Sequence, residues 1–303
     1  MAQEKLTLGI ERPRITSGFV FKSVFEDETR CRRLLEIVLG VAIAELRVVH
    51  TEHELHVHQG SRAGRVDVFA RDTDGNEYDV EIQARHLGNE WLRVRHYQAL
   101  MDAVRLRRGE PVNALRLCVV IFVCDFDPLV GVPGVGPKEC GYRRYDCRMV
   151  CEQTGCAVPD GRVAVLLNAR GTRGEVSDDL ADFLRYVGGQ QVDGSDFVDD
   201  IRRRIDELAS DEAWMGEYMN FEDELRAERL YGERKGRADG LVKGREEGRK
   251  EGRKEGEALA AERNAALARA LTDAGRADEL VAAMTDPATY GRLLGEFGIG
   301  EGA

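Results

Sequence analysis

Hydrophobic and polar positions alternate along residues 64–83, GRVDVFARDTDGNEYDVEIQ, and the alternation reverses around Asp74-Gly75. This pattern predicts a β-hairpin. A three-residue loop with Gly75 in the left-handed conformation keeps the apolar positions together on one face, whereas a two-residue loop mixes the faces. The longer loop is therefore favoured. It pairs the apolar residues as Val66–Ile82, Val68–Val80 and Ala70–Tyr78.

The other face of the predicted hairpin is polar. Arg65 faces Gln83 there, and Asp67 faces Glu81, with side chains that begin about 5 Å apart. Opposed like charges destabilise a sheet. The acids therefore form either a solvated face balanced by arginines or a site for a hard cation. Carboxylate oxygens suit Mg²⁺, with Mn²⁺ as the alternative, and both ions keep coordination positions open for a phosphate.

Helical and extended patterns surround the hairpin. Residues 19–40 have helical periodicity that ends at Gly40, and residues 45–58 are mostly extended. Residues 89–110 form an amphipathic helix, and residues 114–128 contain a continuous apolar run that predicts a strand covered on both faces. The order of helix, three strands, helix and strand predicts an α/β (α+β) fold with a mixed central sheet flanked by helices.

The C-terminal half changes in composition. Residues 129–160 are rich in Gly and Pro and predict irregular structure, and residues 162–171 predict a further strand. Residues 175–233 carry 6 basic and 18 acidic side chains, which accounts for the acidity of a chain with net charge −11. Residues 1–174 are almost neutral, so a phosphate-binding surface there is not excluded.

A glycine repeat follows the acidic segment, with glycine at every fourth position from Gly232 to Gly256 and mostly Arg, Lys and Glu between. Each glycine costs a helix about 1 kcal/mol relative to alanine. The repeat is either a charged flexible linker or a helix whose bare stripe permits close helix–helix contact in an oligomer. The tail predicts short helices broken at Gly275 and Pro287. The predicted segments are a domain at 11–174, an acidic helical segment at 175–231, the glycine repeat at 232–258 and a helical tail at 259–303.

Composition also bears on the cellular compartment. The first residues are too polar for a secretory signal, and the longest strongly apolar run, from Leu117 to Cys124, is too short to span a bilayer. The odd number of cysteines, 7, indicates reduced thiols. We therefore expect a cytoplasmic protein without a membrane segment.

The hairpin in this setting resembles the PD-(D/E)XK nuclease superfamily, and more narrowly the recombination-promoting nucleases of the Rpn type, also named PD-(D/E)XK family transposases. The similar segments are FVFKSVF, RVDVFARDTDGNEYDVEIQ, VVIFVCDFDP, CRMVCEQTGCAVPDGRVAVLLNARG and the glycine-every-fourth tail. The resemblance covers most of the chain, and it implies a restriction-endonuclease-like core with an all-helical C-terminal extension. Nothing resembles the RNase-H-like core that most DNA transposases use.

The resemblance implies a set of catalytic residues. Asp67 and Glu81 would be the metal ligands, together with the backbone carbonyl of Ile82, and Gln83 stands where the superfamily has a lysine. A neutral amide can orient groups only by hydrogen bonds. Catalysis would therefore rely more on the metal, which lowers the pKa of water and neutralises phosphate. Asp79 shares the polar face and is a further candidate.

Other candidate groups surround this motif. A glutamate of the first helix often joins such sites, and Glu28 and Glu36 are equally suited. The helix after the hairpin is rich in arginine, and its best candidates for gripping a DNA backbone are Arg93, Arg95, His96 and Tyr97. The alternative is an ordinary solvated helix face.

Two further clusters contain residues that bind softer metals. The histidine cluster contains His50, His53, His56 and His58. The cysteine cluster contains Cys140, Cys147, Cys151 and Cys156, whose spacing approaches that of a zinc site only in part. A solvated strand and unligated thiols are the simpler interpretations of the two clusters.

The sequence thus predicts an Mg²⁺-dependent DNA endonuclease that hydrolyses phosphodiester bonds. The alternative is a protein with a weak or inactive nuclease fold that binds DNA or assembles with itself. The expected partners are DNA and a second copy of the chain through the C-terminal helices.

Overall fold

The computed structural model describes residues 12–49, 54–55 and 64–300 of the chain. Two compact units divide the chain, the first ending at Glu222 and the second beginning at Asp223. The first unit is a mixed α/β structure. Its strands are β1 Leu46–Val49, β2 Glu54–Leu55, β3 Gly64–Arg65, β4 Val68–Asp72, β5 Glu77–Gln83, β6 Cys118–Cys124, β7 Arg144–Cys147 and β8 Arg162–Asn168. Its helices are α1 Gly18–Phe25, α2 Glu28–Leu39, α3 Glu90–Arg105, α4 Asp178–Val187 and α5 Asp196–Ala209, and α6 Glu212–Asp273 begins in it.

Six strands form one mixed sheet in the order β1-β4-β5-β6-β8-β7. The strands β1, β4 and β5 are antiparallel neighbours, whereas β5, β6 and β8 run parallel and β7 returns antiparallel at the edge. The short strands β2 and β3 pair separately. The predicted mixed sheet flanked by helices is confirmed. The apolar strand β6 is buried along its whole length near the middle of the sheet, as its sequence predicts.

Each face of the sheet is covered by a different set of helices. The face that we call the α1 face packs side chains such as Val80, Ile121 and Val165 against α1, α2, α4 and α5. The opposite face, here the α3 face, packs Val120, Phe122 and others against α3. Because side chains alternate along a strand, neighbouring residues of β5 and β6 belong to different faces.

The first predicted helix, at 19–40, is in fact two helices. Asp27 lies between them with extended backbone angles, and its side chain accepts a hydrogen bond from the backbone N–H of Arg30. This is the geometry of an N-cap, which starts a new helix. The predicted end is confirmed, since Gly40 closes α2 in the left-handed conformation with φ of 71°.

The hairpin has the predicted register over its described ladder, with Val68 opposite Val80 and Ala70 opposite Tyr78. Gly75 has φ of 83°, and its N–H donates to the carbonyl of Asp72 at 3.1 Å. These features confirm the three-residue loop. Because one residue of slip would exchange the two faces, the loop determines which β5 side chains lie under α3.

The second unit contains the remainder of α6 and the helices α7 Glu279–Thr285 and α8 Pro287–Glu296. The glycine repeat lies within α6 and is helical. The predicted breaks at Gly275 and Pro287 are confirmed, with Pro287 at the first position of α8. Residues such as Leu267, Leu271 and Leu293 form the small core of this unit. None of the helices in the described parts of the chain is long and apolar enough to cross a membrane.

Candidate active site

The strand that carries Asp67 is interrupted at that residue. Val66 and Asp67 lie outside the regular strands, and β4 starts only at Val68. The Asp67 N–H donates to Oε1 of Glu81 at 2.9 Å, and the N–H of Ile82 donates to Oδ2 of Asp67 at 3.0 Å. These side-chain hydrogen bonds stand where ladder bonds would continue the hairpin. Asp67 and Glu81 are therefore neighbours, as predicted.

Two of the predicted pairs, Val66–Ile82 and Arg65–Gln83, are wrong because the strand is interrupted at Asp67. Val66 packs on the α3 face rather than beside Val68, so it does not pair with Ile82 on the apolar face. Arg65 belongs to β3 and pairs with Glu54 instead of Gln83. The physical reason is the break at Asp67, which changes the alternation of side chains between the residues before and after it.

Strand β5 has four buried polar residues at alternating positions. Glu77 pairs with Arg71, and the other three lie together on the α3 face. Asp79 has no exposed surface, Glu81 is 1% exposed and Gln83 is 8% exposed. Both carboxylate oxygens of Asp79 lack a hydrogen-bond partner among the described residues. The sequence indicated a solvated face or an open metal site, whereas the structure covers these groups with α3. Buried polar groups without partners are costly and rare, so this position requires a functional explanation.

Arg93 of α3 is the cation that contacts these buried acids. Its Nη2 donates to Oε2 of Glu81 at 2.9 Å, and its Nη1 donates to Oε1 of Gln83 at 2.5 Å. The amide of Gln83 also donates to Oε2 of Glu81, at 3.3 Å. The hydroxyl of Tyr97 accepts from Arg93 at 3.0 Å, and the ring of Phe122 lies 5.2 Å from the guanidinium carbon. The guanidinium is therefore held on several sides.

Asp67, Asp79 and Glu81 form what we call the acid cluster. Its electrostatics favour the binding of protons or cations. Burial of the carboxyl raises the pKa of Glu81 well above its usual range, and the charges of Asp67 and Asp79 raise it further. Burial also raises the pKa of Asp79, to which the charge of Asp67 adds. In both cases the guanidinium of Arg93 opposes the shift. Three carboxylates thus interact around one guanidinium.

The start of α1 lies against Asp67. A Cβ placed on Gly18, the first residue of α1, would lie 3.4 Å from Oδ1 of Asp67. The positive end of the helix dipole is therefore near this carboxylate. The preceding residue, Ser17, donates to Oε1 of Glu222 at 2.9 Å, which brings a carboxylate of α6 to the same helix end. This arrangement was not predicted from the sequence, in which only the polar pair Ser17-Gly18 before an apolar helix could have suggested it.

The two candidate glutamates of the first predicted helix are not part of this cluster. Glu36 accepts a hydrogen bond from the N–H of Ile43 through its Oε1, at 2.9 Å. Glu28 is exposed, at the start of α2 beside Arg32 and Ala44. Both belong to α2, which starts only after the break at Asp27.

The four residues predicted to bind DNA have different surroundings. Arg93 and Tyr97 point toward the buried acids, and burial raises the pKa of Tyr97 to about 12. Arg95 is exposed on α3. His96 is half-buried, and its Nε2 has no hydrogen-bond partner among the described residues. Helical spacing explains the division, since residues four apart share a face.

The donor chemistry of the acid cluster fits a hard cation, because it offers carboxylate oxygens, and two of them are buried without a hydrogen-bond partner among residues 12–49, 54–55 and 64–300. The described residues nevertheless contain no group of three or more His, Cys, Asp or Glu side chains arranged around a common metal position. The cysteines Cys140, Cys147, Cys151 and Cys156 are among the described residues and form no such group. The histidines His50, His53, His56 and His58 lie outside the described residues.

No family model, no curated protein and no solved structure matches this chain. The function is therefore inferred from the chain itself, that is, from the chemistry of the acid cluster, the order of the helices and strands and the sequence motif.

Proposed function

We propose that this protein is a metal-dependent DNA endonuclease that hydrolyses phosphodiester bonds, with Mg²⁺ as its ion and Mn²⁺ as the alternative. The observation that supports it is the burial of Asp79 and Glu81 beside Asp67, where both oxygens of Asp79 lack a hydrogen-bond partner in the part of the chain that the structure describes. Buried carboxylates are costly unless protons or cations neutralise them. A divalent cation is the functional solution that oxygen ligands suit best.

The proposed roles follow from the positions of the side chains. Asp67 and Glu81 would hold the ion, with the carbonyl of Ile82 as a further ligand. When bound, Mg²⁺ supplies neutralisation of phosphate charge and lowers the pKa of water. Gln83 orients Oε2 of Glu81 through its amide, as the 3.3 Å hydrogen bond indicates. The exposed Arg95 is a phosphate contact at the edge of α3.

Membership of the PD-(D/E)XK superfamily, in its Rpn branch, is part of the same proposal. The support for it is the position of Asp67 directly before β4 and of Glu81 and Gln83 on the antiparallel neighbour β5, followed by α3 and a parallel strand. The chain departs from the superfamily pattern at Gln83, which stands in the place of a lysine and has different chemistry. Gln83 cannot carry the positive charge of a lysine, whereas Arg93 places a guanidinium 2.5 Å from the Gln83 amide oxygen.

Cleavage of plasmid DNA by the purified chain tests the proposal. We expect cleavage with Mg²⁺, and none with EDTA or after Asp67→Ala. Glu77→Gln is the matched control, because Glu77 is a buried acid of the same strand that pairs with Arg71 outside the cluster. Equal activity in all reactions would reject the site, and so would equal loss in the control variant.

A second candidate is self-assembly through α6. Residues 223–263 form a continuous stretch of this helix in which every side chain is exposed. A helix that is polar on all sides and contains a glycine at every fourth position is only marginally stable alone. Contact with a second copy of the chain would stabilise it, and the glycine stripe would permit close approach of the backbones.

The charges beside the stripe favour a parallel pair. Arg245, Arg249 and Arg253 each follow a glycine, whereas Glu247 and Glu251 each precede one. Between Arg245 and Glu255 one flank of the stripe is therefore basic and the other acidic. In a parallel pair of helices opposite flanks meet, as they do at the e and g positions of parallel coiled coils. An antiparallel pair would bring like charges together.

Light scattering on the full chain tests this second candidate. We expect a dimer or higher oligomer that dissociates when Gly244, Gly248 and Gly252 are all replaced by Gln. The control replaces the three residues on the opposite side of the helix by Gln, namely Glu246, Lys250 and Lys254. A monomeric full chain, or equal dissociation of both variants, contradicts assembly through the stripe.

A further inference from the structure

We propose that Arg93 and a divalent ion compete for Glu81, so that the guanidinium occupies the cation position of the cluster until an ion enters. This inference rests on the proposed function, because it concerns regulation of the same site. Its consequence is that Arg93 has two alternative partners, the buried acid without the ion and a DNA phosphate with it.

The contacts of Arg93 are with the residues that the metal-dependent reaction requires. Its guanidinium contacts Oε2 of Glu81 at 2.9 Å and Oε1 of Gln83 at 2.5 Å. An ion ligated by Oε2 of Glu81 could not share that oxygen with Arg93 without bringing two cations close together. Like charges at such distances repel strongly in a buried site. Arg93 must therefore withdraw from Glu81 when the ion binds.

The structure also gives a reason why a divalent ion would replace Arg93 at Glu81. Arg93 satisfies Glu81 and Gln83 but leaves both oxygens of Asp79 without a partner among the described residues. A guanidinium has a fixed planar set of donors, whereas Mg²⁺ offers six octahedral positions, several of them filled by water. Asp79 can then accept hydrogen bonds from that water or ligate directly. The exchange thus gives the third carboxylate partners that Arg93 does not supply.

Arg93 also has a way out of the cluster. Its side chain is 25% exposed, whereas that of Glu81 is 2% exposed. The ring of Tyr97, at 5.5 Å, and the ring of Phe122 support the guanidinium by cation–π contact without closing its exposed side. A guanidinium that withdraws toward solvent stays next to the ion and matches the geometry of a phosphate. Arg93 was predicted to contact the DNA backbone, and its contact with Glu81 then represents the ion-free state of the site.

Binding of Mn²⁺, followed by electron paramagnetic resonance of the free ion at pH 8, tests the competition without any measurement of cleavage. We compare the unaltered chain with Arg93→Met, Arg93→Lys and the control Arg95→Met, which removes an exposed arginine two positions further along α3. Loss of a charge-assisted competitor should tighten Mn²⁺ binding about tenfold in Arg93→Met. We expect a smaller gain in Arg93→Lys and no change in Arg95→Met.

The outcomes separate this inference from the proposed function. Tighter binding in Arg93→Met supports competition, including the case in which only that variant binds measurably. Equal or weaker binding in Arg93→Met, with clear binding by the unaltered chain, overturns the competition and leaves the metal site standing. Absence of binding in every protein overturns both.

A second measurement on the unaltered chain guards against a variant that does not fold. The Nε–H resonance of Arg93 in a ¹⁵N spectrum reports whether its guanidinium is held. We expect addition of Mg²⁺ to shift or broaden this resonance while that of Arg95 stays in place. An unchanged Arg93 resonance when Mg²⁺ is bound would overturn the proposal.

Discussion

Adjacent residues of strand β5 lie on opposite faces of one sheet, and both faces are buried, yet their chemistry differs completely. Val80 and Ile82 pack in the apolar core of the α1 face. Asp79, Glu81 and Gln83 are equally inaccessible on the α3 face. The comparison teaches that burial alone does not identify a structural core. On β5 the residues of the α1 face stabilise the fold, whereas those of the α3 face include acids whose cost indicates a function.

The largest expected effect comes from replacing an acid on the α3 face of β5, and it is an effect on activity. We expect Glu81→Gln to lower Mg²⁺-dependent cleavage about 10³-fold, because a metal ligand contributes several kcal/mol to transition-state stabilisation. Any loss of stability in the metal-free protein should come from the broken ion pair with Arg93 and not from lost packing. Single-turnover cleavage and urea unfolding measure the two quantities. Undiminished cleavage would contradict the role of Glu81.

The apolar face should show the opposite behaviour. Ile121 is fully buried on the α1 face, and Ile121→Ala should lower the free energy of unfolding by about 2–5 kcal/mol. Cleavage per folded molecule should not change. The control Ile121→Val removes less volume and should cost only about 1 kcal/mol. If Ile121→Ala lost activity without losing stability, the separation of roles between the faces would be wrong.

Asp79→Asn should stabilise the metal-free protein at pH 8 by about 1–3 kcal/mol, because it replaces a buried charge that has no hydrogen-bond partner within the described structure. Burial raises the pKa of Asp79 in the folded state. The native carboxyl therefore favours folding most at pH values below its unfolded pKa of about 4, and this contribution is lost as the pH rises through the folded pKa.

The advantage of Asn at position 79 should accordingly grow between pH 4 and pH 8, as followed by urea unfolding in EDTA. A variant that is less stable than the native protein across this range would show that Asp79 has a partner that stabilises its ionised form.

The smallest effect concerns the turn that assigns residues to the two faces. Gly75→Ala should cost about 1 kcal/mol of stability, because Gly75 has φ of 83°. Thr73→Ala in the same loop is exposed and should stay within about 0.5 kcal/mol of the native protein. Thermal unfolding of the three proteins measures this, and equal stability would mean that the loop does not require a left-handed residue.

The local features of the fold could be predicted from short stretches of the chain. The register of β4 and β5 follows from alternation and from Gly75, and the C-terminal end of α2 and the start of α8 follow from Gly40 and Pro287. These features depend on residues close together in sequence. The break between α1 and α2 was missed because the cap of Asp27 interrupts an otherwise continuous apolar period.

The surroundings of the acids could not be predicted in the same way. Alternation indicated that Asp67 and Glu81 would be neighbours, but it could not show that α3 covers Asp79 or that Arg93 turns inward to Glu81. It also could not indicate that Ser17 contacts Glu222, which lies far along the chain. Such contacts depend on packing between elements.

The sequence by itself determined which residues of the hairpin share a face, because strand periodicity and turn geometry are local properties of the backbone. The tertiary structure alone decided that the polar face is buried, since only the packing of α3 removes water from Asp79 and Glu81. Removal of water is what makes those charges costly and gives Arg93 its place beside them.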